Sequence, residues 1–141
     1  MLLISFSSEV QWLEVLITLI FLPISWQLIK YLLTYLKYRK LLGSYTSEGK
    51  SVVTISLPLM EFGFFIIDCT ESEGQSWTGK YKMNEYGCTL EGQYIWNHLN
   101  NVKQPDIGQH IITFSLDMQT ARVSWKALSG PYREGFSEWK K

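Results

Sequence analysis

The 141-residue chain holds two cysteines, two histidines and four prolines, and it has no lysine or arginine before Lys30. Each shortage excludes a class of chemistry. Cys69 and Cys88 form no C-x-x-C pair and lack the Cys/His spacing of a zinc site, so neither a metal nor another cofactor is expected. In a reducing compartment the two thiols read as small buried hydrophobes; on the oxidising side of a membrane they would be open to pairing. His98 and His110 fall on different predicted elements. His98 reads as a solvated loop residue, and His110, beside an apolar run, as a core histidine rather than a general base. The chain has no G-x-S-x-G elbow, no H-E-x-x-H, no P-loop and no G-x-G-x-x-G. Glu48, Glu61, Glu71, Glu73 and Glu85 are scattered over turns, where a solvated surface is the default reading. These absences point to a binding or effector module and away from an enzyme. The formal net charge is zero, which leaves no basic surface for DNA or long RNA.

What the chain does have is an apolar run. Residues 10–36 read VQWLEVLITLIFLPISWQLIKYLLTYL. A hydrocarbon core of ~30 Å needs about 20 helical residues, and Val10 to Ile29 meets that length with one carboxylate, Glu14. Lys30, Lys37, Arg39 and Lys40 follow the run. Basic residues stay on the cytoplasmic side of a span, so the expected topology is single-pass, N-terminus out and C-terminal domain in the cytoplasm. A cleaved signal peptide would want a basic n-region and a small-residue cleavage site, and neither is present. A hairpin turning at Pro23 would leave two arms too short to span. A buried soluble helix is the other competitor, but Trp12 and Trp26 near opposite ends of the run resemble an aromatic belt. Pro23 is expected to kink a single helix. Beyond Ile29, residues Leu28, Ile29, Leu32, Leu33 and Leu36 share one helical stripe, which suits an amphipathic neck as well as a plain snorkelling end. Residues 1–40 thus read as a membrane anchor, with the span at about 10–29, and residues 41–141 as one small domain. Glu14 and Gln27 are polar groups that lipid penalises unless they meet partners, so they are the candidates for self-association.

The second part reads as strands throughout. Turn signals separate eight candidates: Gly43–Ser47, Ser51–Leu57, Phe64–Ser72, Ser76–Met83, Cys88–Asn97, Gln109–Asp117, Ala121–Leu128 and Tyr132–Trp139. His98 to Gln104 is the one stretch that suits a helical turn. Alternation puts Trp77, Gly79, Tyr81 and Met83 on one face, with Leu90, Gly92, Tyr94 and Trp96, then His110, Ile112, Phe114 and Leu116, then Val123, Trp125 and Ala127. One-sided strands in tight succession predict a small eight-stranded up-and-down, lipocalin-like barrel, with an open sandwich as the alternative.

Such a barrel would be lined by Trp and Tyr rather than by Leu, Ile and Val. The rings either fill a small core or form a pocket that stacks on a planar ligand, a contact worth ~1–3 kcal/mol per base. The candidate ligand-binding residues are Tyr81, Tyr94, Trp96, His110 and Trp125, with Arg133 reaching the mouth from the eighth strand. Lys80, Lys82, Arg122 and Lys126 fall on the outward faces of the same strands.

A membrane anchor followed by a minimal barrel, opened by Leu42-Gly43-Ser44-Tyr45 with its lipocalin-like G-x-[W/Y] entry, resembles the transmembrane β-barrel effectors of bacterial anti-phage signalling. Those effectors usually carry two transmembrane helices, and this chain has one. The resemblance implies a barrel that binds a cyclic oligonucleotide and oligomerised helices that injure the inner membrane in antiviral defence. Two alternatives stand beside it. One is a structural subunit of an inner-membrane complex that docks a partner protein, with Phe62, Phe64 and Ile66 as a candidate patch; the other is a lipocalin-like carrier.

Overall fold

The structure, a computed structural model, describes residues 3–47, 51–59, 61, 63–71, 75–97, 106–129 and 133–141, with backbone alone for residues 3–10 and 97. It divides into two units, residues 1–37 and 38–141.

The first unit is nearly all of one helix, α1 (Leu3–Tyr38), which runs on through Pro23. Within it, Gln11–Tyr38 is long and apolar enough to cross a membrane. Leu13, Leu16, Leu19, Leu22, Ile24, Leu28 and Leu32 are all exposed and fall on every side of the axis, so the helix is apolar around its whole circumference. A helix of that kind needs an apolar surrounding on every side. The neck expected from Lys30 onward is continuous with the span, and its stripe of Leu28, Ile29, Leu32, Leu33 and Leu36 is as exposed as the rest. Lys30 Nζ lies 5.4 Å from the centre of the Trp26 ring. Glu14 and Gln27 are 13 positions apart on this helix. At 3.6 residues per turn that places them about 140° apart around the axis and ~20 Å apart along it. They do not share one helix–helix face, so a single neighbouring helix would meet at most one of them.

The second unit is a closed barrel of eight antiparallel strands in chain order: β1 (Gly43–Ser47), β2 (Ser51–Ser56), β3 (Phe64–Thr70), β4 (Ser76–Met83), β5 (Thr89–Asn97), β6 (Asp106–Phe114), β7 (Thr120–Ala127) and β8 (Glu134–Lys140). The sandwich alternative is thereby set aside. Closure removes the sheet edges, though the closing seam is short. Among the described residues, Thr46↔Lys140 and Ser47↔Trp139 pair across β1 and β8, where the Thr46 hydroxyl donates to the Lys140 carbonyl at 3.0 Å.

Two local readings change. Leu116 was expected to point inward, but β6 ends at Phe114 and Leu116 is 99% exposed on the following turn. That turn is stitched by Asp117, whose carboxylate accepts from the Ser115 hydroxyl at 2.5 Å and from the Gln119 amide at 3.0 Å. At its start β6 is longer than the alternation suggested. Asp106-Ile107-Gly108 reads as a turn in the sequence yet is paired strand, with Trp96↔Asp106 and Tyr94↔Gly108 in register. The helical turn expected at His98 to Gln104 lies outside the described residues.

Cys69 sits near the β3–β4 end of the barrel and Cys88 in the β4–β5 turn at the opposite end. Both are free. Within one chain the two cannot bridge, since disulfide partners need Cα atoms within about 7 Å. Their redox state therefore says nothing about which side of a membrane the barrel occupies.

The end of the barrel beside the β4–β5 and β6–β7 turns is packed solid. Leu41, Tyr45, Ile55, Phe65, Ile67, Leu90, Ile112, Phe114 and Ala121 are buried there. Tyr45 fastens it: its hydroxyl meets the Leu41 carbonyl at 2.9 Å and the Met118 carbonyl at 3.1 Å. Burial pushes this phenol up to about 12, so it remains a donor. Lys141 Nζ donates to the carbonyls of Lys40 (2.6 Å) and Leu42 (2.9 Å), tying the last residue of the chain to the segment that enters β1.

Candidate functional site

The opposite end differs. Beside the β1–β2, β3–β4, β5–β6 and β7–β8 connections the interior opens into a cavity of about 790 Å³. That volume suits a drug-sized molecule. Its inner rings touch one another: Tyr94 stacks on His110 at 4.1 Å between centroids, Trp77 meets the edge of His110 at 4.8 Å, and Trp77 stacks on Trp139 at 6.2 Å. Trp96 and Trp125, half-buried, stand above them on the walls. Register explains the clustering. Trp77 pairs with Trp96 across β4 and β5, and His110 pairs with Trp125 across β6 and β7. Directly opposed aromatics on one face of an antiparallel pair are natural contacts.

The glycines on these strands do not leave a void; the rings occupy the room. Gly79 and Gly108 flank Tyr94 in register, Gly92 faces both Tyr81 and His110, and Gly135 faces Trp125. A Cβ added at Gly79 would lie 2.6 Å from the Tyr81 ring, and one at Gly135 would lie 2.7 Å from Trp125. These positions lack a side chain because a ring lies flat across them.

Of the sequence-derived candidates, Tyr94, Trp96, His110, Trp125 and Arg133 line the cavity. Tyr81 does not. It is fully buried one layer below, where its hydroxyl and His110 Nδ1 share a hydrogen bond of 2.7 Å. This pair divides open cup from packed core. Burial holds His110 down to about 3, so its ring is neutral, and burial raises the Tyr81 phenol. Cys69 also lines the cavity. Burial first, then the Glu71 carboxylate, pushes its thiol up to about 12, so it carries no reactive thiolate at neutral pH.

Lining residues that the residue pattern did not single out are Glu71, Gln75, Asp106, Phe136 and three serines, Ser47, Ser51 and Ser137. By pattern Glu71 reads as a solvated carboxylate, and Asp106 falls between two candidate strands. The signal that finds them is parity: each continues the inward set of its strand by one step, Phe65-Ile67-Cys69 on to Glu71 and His110-Gly108 back to Asp106. Tyr94 has its phenol raised by burial first and then by the Asp106 charge, which places the field of that carboxylate inside the cup.

An arrangement of stacked indoles around an open volume can hold a ring-bearing or cationic guest through the ring faces, with rim hydroxyls and carboxylates to orient it. No protein-family model matches the chain, and no curated protein or solved structure matches it either.

Proposed function

We propose that the chain is a membrane-tethered receptor whose barrel binds a small ring-bearing ligand in the aromatic cup. The observation that supports this reading best is the cavity itself: about 790 Å³ of open interior walled by Trp77, Tyr94, Trp96 and Trp125, in a barrel narrow enough to have been filled by its own side chains. In this reading the apolar helix holds the receptor in a bilayer, with the barrel on the cytoplasmic side because Lys30, Lys37, Arg39 and Lys40 all follow the span. Protease added to the outside of spheroplasts should spare the barrel; digestion there would reverse the orientation.

The resemblance to the anti-phage barrel effectors would make the ligand a cyclic oligonucleotide and the output an injured membrane. One helix cannot enclose a pore, so that output requires an oligomer, and crosslinking that finds only monomers with and without ligand removes it. Lys80, Lys82, Arg122 and Lys126 are on the outer wall, leaving Arg133 as the described cation in the cup lining. The docking-subunit alternative has less support. Phe64 lies 4.4 Å under Lys80 Nζ, Lys80 is itself paired with Glu61, and Phe62 lies outside the described residues.

The test is calorimetry on the full chain in nanodiscs with indole, adenosine and cyclic dinucleotides as probes. At least one should bind, and Trp125→Ala should weaken it by about tenfold to a hundredfold with near-ultraviolet dichroism of the barrel retained. No binding by any probe, or loss of the fold in both Trp125→Ala and Tyr94→Ala, would mean that the rings are core and nothing more.

A further inference from the structure

The cup has a sign. Among the described lining residues it carries two carboxylates, Glu71 and Asp106, against one guanidinium, Arg133. Asp106 is in register with Trp96 at the first rung of β6, and its inward parity aims it over the rings. Glu71 follows β3 on the inward parity of Cys69, and its charge acts on that thiol. Arg133 precedes β8, its carbonyl accepts from the Ala127 amide at 2.8 Å, and like Asp106 it is exposed. Ring faces present the negative side of their quadrupole, so the half-buried indoles of Trp96 and Trp125 at the cup add to the carboxylates instead of opposing them. Among the described lining residues, an anion entering here would meet the Trp96 and Trp125 indoles and two like charges for one opposite charge. A cation meets the reverse.

On these grounds we infer that the guest of the cup is a small organic cation, its charge carried on a quaternary or ring nitrogen, held against the indole faces with Asp106 and Glu71 as counter-charges. The inference rests on the receptor reading above and specifies its ligand class. A nitrogen that keeps its charge without a strong hydration shell suits the site best, because the inner rings offer faces and few acceptors. Ligands of net negative charge are the class it excludes.

The experiment is calorimetry on the full chain in phosphatidylglycerol nanodiscs, which contain no ammonium headgroup. The probes are trimethylphenylammonium, its uncharged isostere tert-butylbenzene, and phenyl phosphate, which share one ring. The cation should bind about tenfold more tightly than the neutral isostere, with phenyl phosphate weakest. Asp106→Asn should erase most of that preference while leaving the neutral probe unchanged, and Glu71→Gln should act in the same direction. Arg133→Ala should strengthen cation binding by about two- to fivefold, the change expected on removing one exposed like charge; an anion site would respond the opposite way. Equal affinity for cation and isostere, or tighter binding of phenyl phosphate, overturns the charge assignment and leaves the cup as a binding site. Absence of binding by all three overturns both. Repeating the titration in phosphatidylcholine nanodiscs separates the sources of the cation: weaker binding there identifies a lipid headgroup as a competing occupant, and unchanged binding identifies a free solute.

Discussion

The two halves of one barrel solve the same geometric problem with different residues. Around Ile55, Ile67, Leu90 and Ile112 the interior is mostly aliphatic, with the Phe65 and Phe114 rings among them, and closed, with Tyr45 and Lys141 fastening its end to the entering chain. Around Trp77, Tyr94, Trp96 and Trp125 the same eight strands, at the same spacing, stay open. The difference is in side-chain shape. Branched aliphatics interdigitate and consume a narrow bore, whereas flat rings laid over Gly108 and Gly135 line a wall without crossing the centre. The closed half is therefore expected to supply stability and the open half affinity, with the Tyr81–His110 pair as the border.

The largest break in that division should come from Phe65→Ala. Phe65 is buried below the cup and packs edge-on against Tyr38 at 5.3 Å. Truncating a buried phenylalanine costs ~3–5 kcal/mol, and urea unfolding of the barrel should show a loss of that size. Ligand affinity of the remaining folded protein should not change. A variant that keeps its stability would mean the closed half is not the one that holds the barrel together.

The border responds to acid. The His110 ring titrates near 3 in the folded barrel and near 6.5 when unfolded, because burial disfavours its charged form. Between those values the unfolded chain binds a proton that the folded chain refuses, so stability is full above about pH 6.5 and falls as pH drops towards 3. At pH 4.5 the loss is about 2–3 kcal/mol relative to pH 7.5. The groups facing the ring are Tyr81, Tyr94 and Trp77, none of which supplies a compensating negative charge at that pH. Urea midpoints at the two pH values should show this slope in the wild type and a flatter one in His110→Gln. Equal slopes would place the acid sensitivity elsewhere.

How much of this was legible in the residues follows from the physics of each part. The long apolar helix and the eight strands were readable, because an apolar run of helical length and a period of two are direct marks of a helix apolar on every side and of the pleat. The inward set was readable for the same reason, with Leu116 misplaced because alternation carries no mark of where a strand stops. The start of β6 was not readable: Pro105-Asp106-Ile107-Gly108 has turn composition, and only the Tyr94 ring across the barrel wall explains why Gly108 is a strand glycine. Missing that start hid Asp106, and with it the sign of the cup. The depth of Tyr81 was also hidden, since parity gives the face of a strand but not the height of a residue along the bore.

A smaller effect should come from Gly108→Ala. The added methyl would meet the Tyr94 ring, which has the Trp77 and His110 rings on its other side. Overpacking of this kind costs ~1–3 kcal/mol. Here the comparison predicts a double signature: a modest shift of the urea midpoint together with weaker binding, because a displaced Tyr94 ring would narrow the cup. A change in stability with affinity untouched would show that Tyr94 belongs to the packed half.

The smallest effect tests whether the halves are independent. Lys141 Nζ bonds two carbonyls at the closed end and lies 5.4 Å from the Tyr45 ring centre, yet the side chain is exposed. Two donated hydrogen bonds from a charged group suggest a large contribution, but competition from water and the rotamer entropy of a lysine reduce it to ~0.5–1 kcal/mol. Lys141→Ala should therefore lower the urea midpoint slightly. Its effect on affinity should be nil, because mutations at separated sites without shared partners act additively. The informative cycle pairs it with Trp125→Ala, at the far end of the bore, and measures ligand affinity in the wild type, both single variants and the double. Additive behaviour keeps cup and clasp separate. A coupling above ~0.5 kcal/mol would mean that the segment entering β1 and the cup sense one another through the short β1–β8 seam, where Ser47 and Trp139 pair at the wall of the cavity.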